Sequence, residues 1–206
     1  MYIKEACVEN LNEAIKAEQL GADRIELCEN LNEGGTTPSF GLIRQVKASL
    51  QIPIRVMIRP RTGDFCYSEN EIEMMLSQIE YCKNLKLEAV VFGILNADKT
   101  LNIASITKLA QAASPLKVVI HKAIDETPNM IRACQQLIQT KKISTILTSG
   151  GKDTAEEGLS VLKTLIDLSA DKIEIMPAGK ITNTNIEKLH DYLKAKAYHG
   201  RRIVEE

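Results

Sequence analysis

The chain has 206 residues, is 44% hydrophobic and 26% charged, and carries a net charge of −1 with Lys and Arg spread along its length. That balance fits one globular domain with a sizeable core, and it argues against nucleic acid or an anionic membrane as partner, because both leave a basic patch on the protein that binds them. No apolar run is long enough to span a bilayer, and Met1–Glu5 lacks the apolar core of a signal peptide, so a cytoplasmic address is expected.

In chain order, one unit repeats: a short β-rich run, a polar loop, an amphipathic helix. Tyr2–Cys7 reads as a strand, and Asn10 caps a helix with Leu11, Ala14 and Ile15 on one face that Gly21 stops. Arg24–Cys28 is the second strand. A long loop with Gly34, Gly35 and Pro38 leads to a helix with Ile43 and Val46 inside. Ile54–Ile58 alternates apolar residues with Arg55, Met57 and Arg59, and Pro60 ends its pairing. Beyond it lies a dense polar and aromatic loop, Arg61 to Tyr67, then a capping box from Ser68 to Glu71.

Ala89–Gly93 and Lys117–His121 are the next strands. Thr127-Pro128 reads as a cap with proline at the first helical position. Ser144–Thr148 follows, with Asp153 and Glu156 expected to box the helix after it. Lys172–Met176 and Ala197–His199 complete the series. Strict alternation implies parallel strands with right-handed crossovers. About eight such units over residues 1–206 predict a single-domain α/β (β/α)8 barrel, with the eighth helix short or missing. The seam at the last strand is expected to be covered by the tail itself or by a partner subunit, which makes a homo-oligomer, dimer or higher, the expected state.

In such a barrel the useful groups collect at the C-terminal strand ends. Ile25 and Leu27 should face the helices, which turns Glu26 and Cys28 inward, and the same period points Glu5, Cys7, Arg59, His121 and Glu174 inward. Buried charges must pair, and Arg59 with Glu26 or Glu5 is the expected pairing. Such a group is either a structural plug or a site in which Glu26, Arg59 and His121 are catalytic candidates, with His121 as acid or base near neutral pH. Arg59 and Arg61, with the Ser149-Gly150-Gly151 turn, are candidates for binding an anion. They make a small phosphorylated or carboxylated metabolite one expected partner.

The five cysteines have no tight spacing, so free thiols or metal ligands are expected and not a disulfide framework. Cys7 and Cys28 end adjacent strands at equivalent places. They either fill space or share one ion, and two soft sulfurs suit Cu(I). Cys82 and Cys134 fall on helical stripes. Cys66, in the polar loop, is an exposed thiol or a further ligand.

Gly21-Ala22-Asp23-Arg24-Ile25-Glu26-Leu27-Cys28, Glu33-Gly34-Gly35-Thr36-Thr37-Pro38-Ser39 and Met57-Ile58-Arg59-Pro60-Arg61 through Gly63-Asp64-Phe65-Cys66-Tyr67-Ser68 resemble the CutC copper homeostasis family, and Leu147-Thr148-Ser149-Gly150-Gly151 and Met176-Pro177 follow in register. The resemblance covers nearly the whole chain. It implies a TIM-type barrel, a cytoplasmic role in copper handling, and a copper ion bound as Cu(I) by cysteines, carried here onto Cys7 and Cys28. Two departures stand out: Ala178-Gly179-Lys180 replaces the family's Gly-rich turn after Met-Pro, and few residues follow the last strand.

Overall fold

The computed structural model describes residues 1–170 and 172–205. Its elements are β1 (Ile3–Val8), α1 (Leu11–Gln19), β2 (Arg24–Leu27), α2 (Phe40–Ser49), β3 (Ile54–Met57), α3 (Glu69–Asn84), β4 (Ala89–Phe92) and α4 (Ile103–Ala113). They continue with β5 (Lys117–Ile120), α5 (Met130–Thr140), β6 (Thr145–Thr148), α6 (Leu159–Ser169), β7 (Glu174–Pro177), α7 (Ile186–Leu193) and β8 (Ala197–Gly200). All eight strands belong to one sheet in which sequence neighbours pair in parallel and β8 returns to β1. The result is the expected (β/α)8 barrel, nearly closed. β7 and β8 lie against each other, but no ladder joins them among the described residues.

Two apolar layers follow from the period of two. Ile25, Leu27, Val56 and Phe92 point outward and pack under the helices. Cys7, Cys28, Met57, Val91, Leu147 and Met176 point inward and form a separate cluster inside the ring. At the base of the ring Glu5, Arg24 and Arg55 are buried. The interior is therefore packed, as barrel interiors are, with ions at the base and sulfur and apolar groups above.

Helix starts follow capping chemistry, sometimes at other residues than expected. Ser68 and Glu71 make a full capping box at α3. At α5 the cap is Asn129, whose side chain accepts from the Arg132 N–H at 3.0 Å, so Pro128 precedes the cap and does not open the helix. Before α6 the reciprocal pair is Thr154 with Glu157 at 3.2 Å, one residue later than the Asp153 and Glu156 expected. Beyond β8, Ile203 is fully buried and Lys16 pairs with Glu205 at 2.9 Å, so the tail itself covers the flank of α1. No helix follows β8 among the described residues.

Gly158 stands at the start of α6, where a Cβ would come within 1.9 Å of the Ser149 carbonyl oxygen. Both partners are backbone, so no rotamer can relieve the clash. Gly158→Ala is expected to lose about 3 kcal/mol of stability, the upper end of overpacking, read by urea denaturation. A loss under about 1 kcal/mol would show that this approach is not held tightly.

Candidate functional site

The β1–β2 register sets Cys7 opposite Glu26, and the β1–β8 register sets Glu5 opposite His199. Four neighbouring inward groups thus come from three strands. His199 Nδ1 lies 2.9 Å from Glu5 Oε1 and 3.4 Å from Glu26 Oε2. Ligand atoms of Cys7, Glu26 and His199 lie within 4.8 Å of one another. The Cys28 thiol lies close enough to Cys7 for each to shift the titration of the other. Above Cys28 the chain passes as Gly34-Gly35, both at positive φ, and a Cβ on Gly35 would touch the Cys28 sulfur at 3.4 Å. Glycine is suited to both demands.

The electrostatics divide the two thiols. The neighbouring Cys28 thiol and the His199 imidazole hold the Cys7 thiol down at about 6, which favours its thiolate at pH 7. The neighbouring Cys7 and burial push Cys28 well up, so it keeps its proton. Neighbouring Cys7 and Glu5 and the Glu26 charge raise His199 well above its usual value against its burial. Burial lifts Glu26 to about 8 although the His199 charge opposes it.

Glu5 carries the base of the site. It accepts from Arg24 Nε, pairs with Arg55 Nη1 at 3.1 Å, and takes the His199 bond. These charges hold it at about 2 in spite of full burial. Arg24 and Arg55 reach further carboxylates, Glu174 at 3.4 Å and Glu88 at 3.0 Å. The buried ions therefore pair, but through Arg24 and Arg55 and not through Arg59 as expected.

Arg59 has another task. Its guanidinium donates to the carbonyls of Glu33 at 3.1 Å, Gly35 at 2.9 Å and Gly63 at 2.7 Å, and lies over the Phe65 ring. It staples the two loops that roof the barrel and leaves no fork for an anion or for Glu26. Arg61 is likewise occupied, by Glu71 at 2.5 Å and Asp64 at 2.9 Å. In the Ser149-Gly150-Gly151 turn the N–H groups of Ser149 and Gly151 both donate to Asp125 at 3.1 Å, and that of Gly150 to Thr148 Oγ1 at 3.0 Å. The turn does bind a carboxylate, but the protein's own. The structure lends no support to the anion role expected for Arg59, Arg61, Ser149, Gly150 and Gly151, because their donors meet internal acceptors, apart from Arg59 Nε, which is buried without a partner among the described residues.

His121 also differs from expectation. Its Nδ1 accepts the Ala123 N–H at 3.1 Å, so the ring proton sits on Nε2. Burial and the Arg59 charge push its pKa down to about 3. It is a neutral donor at pH 7, not an acid or base poised near neutrality. The sign for stability follows from linkage. The neutral ring is favoured in the fold, so its contribution is complete above the unfolded value near 6.5 and is lost as pH falls toward 3. Stability is expected to fall by up to about 1.4 kcal/mol per pH unit below pH 6. Urea denaturation at pH 7, 5.5 and 4.5 checks this: His121→Phe should show a flatter profile, and an unchanged slope refutes it.

Glu26, His121, Cys7 and Cys28 all line one cavity of about 200 Å³ at the barrel mouth. The inward facing expected of those four brings them to one cavity, while His199 had no expected role at its strand end; the inward period from Ala197 was the available signal. Cys66 is not on the cavity wall. Cys82 and Cys134 are buried under the helices, which pushes their thiols up to about 12 and 11.

A family model described as "CutC family" matches residues 2–203. The human copper homeostasis protein cutC homolog is 41% identical over 198 residues, covering 96% of this chain and 72% of that protein. A CutC family protein of Parabacteroides distasonis is 40% identical over 205 residues, 98% of this chain and 84% of its own length. Among solved structures, a CutC copper homeostasis protein of Streptococcus agalactiae superposes with TM-score 0.93 at 33% identity, covering 98% of this chain and all of that one. A phosphoribosylanthranilate isomerase of Thermotoga maritima, at 16% identity, TM-score 0.61 and coverage of 97% of this chain and 87% of its own, shares the fold alone.

Proposed function

The chain belongs to the CutC family of copper homeostasis proteins, and from that premise we propose that it binds Cu(I) through the sulfurs of Cys7 and Cys28 at the mouth of the barrel. The observation that supports this reading most is that both thiols line one buried cavity, close enough for each to shift the titration of the other. Two adjacent sulfurs, one already a thiolate, are the donors a soft monovalent ion prefers. The Met57 thioether lines the same cavity. Glu26 and His199 stand beside Cys7 as further donors.

Metal displaces protons from such a site. Cys7 has little to lose at pH 7, so uptake of one Cu(I) releases chiefly the Cys28 proton. The five cysteines are all free, which suits a reducing compartment, and we place the protein in the cytoplasm. No helix among the described residues is long and apolar enough to cross a membrane.

An anaerobic Cu(I) titration of the reduced protein against a chromophoric Cu(I) chelator tests the reading. One equivalent held in a sulfur-dominated shell by X-ray absorption is the expected result. A shell of nitrogen and oxygen only, or no uptake in competition, refutes it.

A further inference from the structure

The mouth cavity extends beyond the sulfur pair, and the copper reading leaves its far wall, His121, unused. His121 ends β5, and β5 lies four strands round the ring from β1, so His121 faces Cys7 across the mouth. Its Nε2 is buried, carries the ring proton, and has no partner among the described residues. Glu26 Oε1 is buried in the same way, also without a partner among them. His121 is 4% exposed and Glu26 1% exposed, so neither atom is an ordinary surface group. Buried polar atoms are nearly always paired, and an unpaired one costs about 1–3 kcal/mol. Two in one cavity mark a place where a ligand supplies the partners.

Leu31, Met57, Phe65, Ala123 and Leu147 form the apolar part of the lining, beside the two thiols, His199 and Lys122. At about 200 Å³ the space exceeds what one ion or one water occupies, since a single water needs about 10–15 Å³ of such space. It fits a molecule of several heavy atoms. Charge narrows the class. Arg59 is committed to loop carbonyls, and His199 is paired with Glu5 and Glu26. Lys122, on the lip, is half-exposed and lies 3.8 Å from Asp125. Lys122 is therefore a half-exposed cation at the rim, and His199 is already paired, so a carboxylate or phosphate buried in the cavity would lack an unpaired buried counter-charge among the described residues.

We propose that this cavity binds a small uncharged hydroxycarbonyl compound, its carbonyl oxygen accepting from His121 Nε2–H and its hydroxyl hydrogen-bonded to Glu26 Oε1. Phe65, held between His121 at 4.9 Å and the Arg59 guanidinium at 4.8 Å, forms the rigid wall against which the carbon skeleton lies. The inference rests on His121 and Glu26 Oε1 and not on the sulfurs, so it is read on the metal-free chain.

The test uses the metal-free, reduced full chain with labelled histidine, and reads the His121 Nε2–H signal by NMR while hydroxyacetone is added. Acetone, which only accepts, and acetate, which is charged, are the comparison probes. A saturable shift with hydroxyacetone is expected, at least about 10-fold tighter than with acetone, the weight of one well-made hydrogen bond. Leu31→Trp fills the cavity from its exposed loop and leaves both polar groups in place, so it should weaken binding at least 10-fold; it serves even where His121→Phe fails to fold. No saturation, equal affinity for acetone, tighter binding of acetate, or an unaltered titration in Leu31→Trp each overturn the proposal.

Discussion

Glu5→Gln is expected to remove about 3 kcal/mol or more of unfolding free energy, the lower part of the range for breaking a buried ion pair from one side. Glu5 is 1% exposed and meets Arg24, Arg55 and His199 at once. Glutamine keeps the volume and removes the charge, leaving three cationic groups around a neutral amide. Glu174 and Glu88 still serve Arg24 and Arg55, which is why the upper end of the range is not expected. Urea denaturation at pH 7 reads the effect. A loss below about 1 kcal/mol would mean that the outer carboxylates hold both arginines alone. Replacing its three fully buried members, with Glu5→Leu, Arg24→Met and Arg55→Met together, should be less damaging than Glu5→Gln, because the carboxylates that then lose a partner, Glu174 and Glu88, are partly exposed, and Glu88 keeps Lys117 and His199 keeps Glu26.

The second large effect is on metal. A Cys7→Ala, Cys28→Ala variant is expected to lose at least about 1,000-fold in Cu(I) affinity, roughly 4 kcal/mol, measured by chelator competition in the absence of oxygen. Cys28→Ser alone should fall between parent and double variant. It should also release fewer protons on uptake, since Cys28 is the thiol that keeps its proton at neutral pH. Parent-like affinity in the double variant moves the copper site elsewhere on the chain. Because both thiols lie inside the ring among apolar neighbours, the melting temperature is measured alongside, so that lost affinity is not confused with lost fold.

Much of this was legible in the chain. The repeat of strand and helix gave the barrel, and the period of two separated Ile25 and Leu27 from Glu26 and Cys28 without reference to coordinates. The same rule put Cys7 and His121 at the mouth, where both are found. These features are local: side-chain direction along a strand depends only on position in that strand.

Partnership was not legible. Arg55 and Arg59 share one face of one strand by parity, yet Arg55 goes down to Glu5 and Glu88 while Arg59 goes up to the carbonyls of Glu33, Gly35 and Gly63. The choice turns on depth in the barrel and on which buried acceptors lie within reach. Likewise a Ser-Gly-Gly turn can hold any carboxylate, and only the packing of the Lys122–Glu126 turn against β6 brings Asp125 to fill it. The sequence by itself determined the strand–helix order and the facing of each strand residue, because backbone geometry repeats. The closing of the ring decided which ions meet, which donors are left over, and where His199 sits, because those distances are set between strands far apart in the chain.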